Sequence, residues 1–159
     1  MERKGIKIVK GNVEEIIEKL NKALSDEWLA YYQYWIGAKV VKGKFREEVA
    51  NELSQHAGEE LKHAEMLVDR IIQLGGTPVL KPEDWYKLTN CGYDAPTDPD
   101  VIPILKQNIK GEQCAIEVYQ GLSEYLKDKD PISYYMVLEI LKDEIEHEDD
   151  LINILEDIS

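Results

Sequence analysis

The chain is poor in several residue types. It has one Phe, three Met, two Cys and three His, and only 19 Lys and Arg against 32 Asp and Glu. No run of about 18 apolar residues occurs, so no membrane-spanning helix is expected. The opening stretch MERKGIKIVKG carries charges but lacks the apolar segment and small-residue cleavage site of a secretion signal. The expected location is the cytoplasm. Two cysteines are too few for a secreted disulfide framework, and Cys91 and Cys114 match no zinc-site spacing. The shortage of cations leaves a net charge of −13, which opposes binding of nucleic acid by the domain as a whole. A short basic start, Arg3, Lys4, Lys7 and Lys10, is the one local exception. Strand patterns, tandem repeats and low-complexity segments are also absent.

What is present is helical periodicity. Hydrophobic residues make up 43% of 159 positions, enough for one domain with a real core. The expected domain is 1–159, with 1–11 as a short tail. A first helix is expected over roughly 13–42, N-capped by Asn12, with the stripe Ile17, Leu20, Leu24, Glu27, Tyr31, Tyr34, Ala38, Val41. Gly43 separates it from a second helix, roughly 45–74, which stops at Gly75-Gly76. A connection over 77–100 holds four prolines and room for one short helical turn near PEDWYKL. A third helix over roughly 101–128 shows Ile102, Leu105, Ile109, Glu112, Ile116, Tyr119, Leu122. DKDP breaks it, and Pro131 suits the first turn of a fourth helix, roughly 131–157, with Val137, Leu141, Glu144, His147, Leu151, Ile154. Two short connections and one long one describe an all-α four-helix bundle with a single crossover between the second and third helices.

Each stripe contains one carboxylate where an apolar residue belongs. The second helix buries positions 49, 53, 57, 60, 64, 67 and 71, and position 60 is Glu60. Glu27, Glu112 and Glu144 interrupt the other three stripes, each near mid-helix. Antiparallel helices of similar length bring their midpoints to one level. Two of these residues begin Glu-x-x-His: Glu60 with His63, and Glu144 with His147. Residues three apart share a helix face, so each pair can reach one ion. Four carboxylates buried together carry a prohibitive charge unless it is matched. Two divalent ions would match it. One Glu from each of two helices plus Glu-x-x-His from each of the others is a di-iron or di-manganese carboxylate arrangement. Oxygen and imidazole donors suit iron, with Mn and Zn as competitors. The expected ligands are Glu27, Glu60, His63, Glu112, Glu144 and His147.

On these residues the chain resembles the ferritin-like superfamily. The resemblance is carried by DEWLAYYQYW (26–35), GEELKHAEMLVDRIIQLGGTP (58–78) and EILKDEIEHEDDL (139–151). It is most similar to bacterioferritin and the Dps-like miniferritins. The likeness implies two Fe per subunit, with Glu60 and Glu144 as the expected bridges, although the sequence leaves the bridging carboxylates open. It implies Fe2+ and H2O2 or O2 as substrates, iron storage with peroxide removal, and a hollow homo-oligomeric shell. Bacterioferritin has a haem-ligating Met directly after the second-helix Glu; Leu61 stands here, so no haem is expected. It also has a fifth helix, whereas this sequence ends twelve residues after His147. A bacterioferritin-type site on a Dps-sized chain with two cysteines resembles the thioferritins, and implies a 12-subunit shell.

The cysteines are open by spacing alone: two unrelated thiols, or a bridge pinning the crossover to the third helix. The thioferritin likeness implies a close, redox-relevant pair, Cys91 and Cys114. Tyr34, seven residues past Glu27, is a candidate hydrogen-bond donor to a ligand, and His56 a candidate for a supporting or inner-surface iron role. Tyr31 and Tyr119 read as packing residues. The competing function is a di-metal peroxidase or catalase of rubrerythrin or manganese-catalase type, without storage; the paired CxxC motifs of a rubrerythrin are absent. DNA and membrane partners are not expected.

Overall fold

The computed structural model describes residues 1–159. Its helices are α1 (Lys4–Lys7), α2 (Val13–Val40), α3 (Arg46–Gln73), α4 (Trp85–Leu88), α5 (Val101–Leu126) and α6 (Pro131–Ile158), with a 3-10 turn at Pro82–Asp84 before α4. The four long helices form the expected bundle, α2 packing on α3 and α5 on α6. The 1–11 segment differs from a free tail. It forms α1, packs Val9 on the core, and donates the Lys10 amide to the Lys129 carbonyl at 2.7 Å. No helix is long and apolar enough to cross a membrane.

Local chemistry sets the ends. Asn12 caps α2 by accepting the Glu15 amide at 3.1 Å. After α3 the Gly76 amide reaches the Ile71 carbonyl and the Gly75 amide the Ile72 carbonyl, both at 2.9 Å. Gly75 has φ +82°, so this Schellman ending needs a residue without Cβ strain. Asp130 caps α6 through the amides of Ile132 and Ser133, at 3.2 and 3.1 Å. Arg70 of α3 binds the same carboxylate at 2.8 Å, which ties the start of α6 to the end of α3.

The crossover is strapped down rather than structureless. Trp85 stacks on Trp28, with centroids 5.4 Å apart. Buried Asp26 accepts from Thr89 Oγ1, the Asn90 amide and side chain, and the Cys91 amide. Gln33 accepts the Asp94 amide at 3.0 Å. The strap ends where Lys42 and Val101 exchange backbone hydrogen bonds with the opposing chain, Lys42 N to Pro99 O at 2.8 Å and Val101 N to Lys42 O at 3.1 Å.

The apolar core is split in two. One cluster holds Ile16, Leu20, Leu24, Leu67, Ile71, Leu126 and Ile140; the other holds Val41, Val49, Leu53, Val101, Leu105 and Leu151. Between them lies the layer of Glu and His residues. The α3 stripe buries as its sequence predicts. On α5 the interior line runs instead through Val101, Ile104, Leu105 and Asn108, and Ile102, Ile109 and Ile116 are half-buried. On α2 it is Ile16 that is buried, while Ile17 sits beneath Gly76.

Candidate metal centre

All six expected ligand residues meet between the two apolar clusters, each no more than 3% exposed. They fall into two groups whose ligand atoms lie within 4.8 Å of one another: Glu27, Glu60, His63, Glu144, and Glu60, Glu112, Glu144, His147. Each group could hold a metal ion, and Glu60 and Glu144 belong to both. His63 Nδ1 lies 3.6 Å from Glu27, 3.9 Å from Glu60 and 3.3 Å from Glu144. His147 Nδ1 lies 3.1 Å from Glu60, 3.4 Å from Glu112 and 3.5 Å from Glu144. One oxygen of each Glu and the Nδ1 of each His is buried without a hydrogen-bond partner. Six inward donors without partners are what a cation cluster supplies with a role, so the residues fit metal ions.

The outward atoms of both histidines, and one oxygen each of Glu27 and Glu112, are held. His63 Nε2 bonds Asp143 at 2.8 Å, and His147 Nε2 bonds Glu59. Each acid lies one residue before the Glu of one arm and reaches across to the His of the other. A carboxylate on the far ring nitrogen fixes the tautomer that turns Nδ1 inward and raises its basicity. Tyr34 of α2 donates to Glu112 of α5, and Tyr119 of α5 donates to Glu27 of α2 at 2.5 Å. Tyr34 thus sits where its spacing suggests. Tyr119 is corrected from packing residue to ligand partner, and burial followed by the Glu27 charge keeps its hydroxyl protonated.

Sequence reasoning missed Glu59, Asp143 and the role of Tyr119. The signal was an internal twofold likeness. Glu27 and Glu112 each have a Tyr seven residues on, and both arms read acid-Glu-x-x-His. The α2–α3 pair and the α5–α6 pair therefore present the same contacts to each other.

The charges show how unstable the bare constellation is. Burial, then Glu144, Glu27 and Glu112, pushes Glu60 far above the carboxylate range. Burial, then Glu112 and Glu27, raises Glu144 to about 8. Burial opposes a charge on the histidines, but Glu144 and Glu27 raise His63 to about 11, and Glu112 and Glu144 raise His147 to about 9. Glu27 runs the other way: burial raises it, and contacts to Glu60, His63 and Tyr119 bring it below the usual value. The cluster attracts protons as it would attract cations.

Cys91 and Cys114 form a disulfide, with Cα atoms 5.9 Å apart. The bridge lines a cavity of about 440 Å3 between the crossover, α2 and α5. The same cavity is lined by Glu27, Glu60, Glu112 and Glu144, so it leads from the crossover to the ligand layer.

The Ferritin-like domain family model matches residues 17–159, nearly the whole bundle. This chain is a ferritin-like protein. A DNA protection during starvation protein from Pyrococcus furiosus is 36% identical over 150 residues, covering 93% of this chain and 78% of that one. A bacterioferritin from Brucella melitensis is 30% identical over 137 residues, covering 85% and 79%. Among solved structures, the dodecameric thioferritin of Bacteroides fragilis superposes with a TM-score of 0.96 at 46% identity, covering 99% of this chain and 95% of that one. The ferritin-like bundle, its Dps and bacterioferritin relatives and its thioferritin neighbour agree with the expectation raised by the Glu-x-x-His arms.

Proposed function

We propose that this ferritin-like protein is a ferroxidase miniferritin, oxidising Fe2+ at a two-iron site within each subunit and storing the ferric product in a dodecameric shell. The observation that carries this reading is the pair of overlapping ligand groups sharing Glu60 and Glu144. Four carboxylates and two divalent ions balance in charge, and membership of both groups supports Glu60 and Glu144 as the residues that would bridge the two ions. Glu27 with His63 completes one iron site, and Glu112 with His147 the other.

Iron is the substrate and gives up one electron per ion. Hydrogen peroxide accepts two electrons and two protons, its O–O bond breaks, and two waters form; O2 is the slower alternative. The protein residues supply geometry. Tyr34 and Tyr119 hold the terminal carboxylates, and Glu59 and Asp143 hold the imidazoles. The flanking apolar clusters exclude water above and below, and the cavity beside the disulfide gives oxidant a route to the ligands. With a net charge of −13, protection of DNA by this chain would come from removing iron and peroxide.

The experiment is anaerobic Fe2+ binding followed by H2O2 addition, combined with light scattering of the assembly. A dodecamer that binds paired ions, oxidises them and accumulates ferric mineral is expected. A small oligomer that turns over peroxide and never accumulates iron favours the di-metal peroxidase reading instead. That alternative has one observation in its favour: Cys91–Cys114 lines the cavity that reaches the ligands, so a reduced pair could return two electrons to two ferric ions.

The acids behind the histidines give a graded test. Asp143→Asn and Glu59→Gln should each lower oxidation rate or iron affinity by about 10–100-fold, the range typical of such supporting contacts. Stopped-flow oxidation with Fe2+ titration reads both. Wild-type values in both variants would remove these acids from the account.

A further inference from the structure

The internal twofold likeness fails at one place. His56 lies four residues before Glu60, and the matching position before Glu144 is Ile140. Glu52, eight residues before Glu60, matches Met136, and Asp150, three after His147, matches Met66. Ile140 and Met136 are ordinary core residues, and Met66 is half-buried beside them. At one end of the ligand layer the chain is apolar, then; at the other it places three metal-binding side chains.

Those three converge. His56 is 1% exposed, and both its ring nitrogens lack a hydrogen-bond partner. Its Nε2 lies 2.9 Å from Glu52 without the angles of a hydrogen bond, and 3.7 Å from Asp150, beyond hydrogen-bond distance. Ligand atoms of all three lie within 4.8 Å of one another. A buried imidazole aimed at two acids without bonding them is unsatisfied as it stands. Burial and the Asp150 charge raise the pKa of Glu52, so the two acids repel.

We propose that Glu52, His56 and Asp150 form a third cation site that takes Fe2+ or a similar first-row divalent ion on the α3/α6 face of the bundle. One imidazole nitrogen and two carboxylates match the preference of such ions and neutralise their charge. The acids are partly exposed, 24% for Glu52 and 52% for Asp150, so water fills the remaining positions and the ion exchanges. The crossover and its cavity cover α2 and α5, which puts this site on the other side of the bundle. The His56 ring stacks on His147 with centroids 4.0 Å apart, and a ligand atom of His56 lies within 4.8 Å of those of Glu112 and His147, so the third site directly adjoins the two-iron site. The third site is therefore a hand-over point for iron leaving that layer, a role that rests on the ferroxidase reading above.

The test is equilibrium dialysis of the assembled protein with Co2+ under argon. His56→Ala and Glu52→Gln/Asp150→Asn should each bind one ion per chain fewer than wild type. Asp149→Asn/Glu156→Gln, which removes the same charge from α6 outside the cluster, should bind as wild type does. The Glu52/Asp150 variant leaves the core intact, so its result stands if the His56 variant misfolds. Equal binding in that variant and wild type overturns the third site. Glu60→Ala separates the readings: it should lose the paired ions and keep the third, and if it binds as wild type does, the two-iron reading fails while the His56 comparison still decides this one. For the hand-over, the Glu52/Asp150 variant should oxidise its first Fe2+ load at the wild-type rate and slow severalfold on later loads. Unslowed later loads refute that role.

Discussion

Glu60→Gln is expected to abolish paired ion binding and slow Fe2+ oxidation more than about 100-fold, beyond what the loss of a supporting contact costs. It should do so without destabilising the metal-free chain. Glu60 is 1% exposed and one of its oxygens has no hydrogen-bond partner. Glu144, Glu27 and Glu112 all repel its charge. That repulsion and burial leave metal-free Glu60 protonated, so a neutral amide of the same shape changes neither charge nor apolar packing, and the denaturation midpoint with chelator present should match that of wild type. For an ordinary buried polar residue, truncating a hydrogen-bonded group lowers stability. The test pairs stopped-flow oxidation with guanidinium unfolding. A variant that oxidises iron normally, or unfolds markedly earlier while metal-free, defeats the assignment of Glu60 as a shared ligand.

That contrast shows what the sequence made legible. A charged residue in an apolar stripe is visible because period and polarity disagree, and all four stripes disagreed at matching depth. The α3 stripe was readable along its length because Val49, Leu53, Ala57, Ala64, Leu67 and Ile71 fill its other positions. On α5 the apolar pattern of the sequence points to Ile102, Ile109 and Ile116, which are only half-buried. The interior line there passes through Asn108, which is 4% exposed and hydrogen-bonded to Gln33 at 3.2 Å. Its neighbour is the strapped crossover, and a loop demands polar partners that an apolar search discards. Asp26 was missed for the same reason: its four acceptor bonds hold residues 89–91, whose positions follow from tertiary path and not from period. Glu59 and Asp143 look like solvated acids in any single helix. Only the internal likeness of the two halves, together with the crossing of α3 and α6, shows that each serves the histidine of the other arm.

Stripped of metal, the chain should lose stability as pH rises from about 6 to about 9, and divalent ions should restore more of it at the upper end. The sign follows from the raised groups. Glu144 at about 8, His147 at about 9 and His63 at about 11, with Glu60 also raised, all bind protons more tightly folded than unfolded. Their stabilisation is complete below the unfolded values and fades as pH passes the folded ones. Each proton held in excess by the folded state removes about 1.4 kcal/mol of stability per pH unit. Glu27, lowered instead, acts only in acid, outside this window. Ligands must shed these protons to bind ions, so binding releases them, approaching four per chain near pH 7. Adding Zn2+, which cannot be oxidised, to chelator-treated protein in weak buffer with a pH indicator counts them directly. Guanidinium midpoints at pH 6 and 9, with and without Zn2+, give the stability side. A flat midpoint with no proton release would mean that the four carboxylates are satisfied without cations, and the reason for their burial would have to be sought elsewhere than in metal binding.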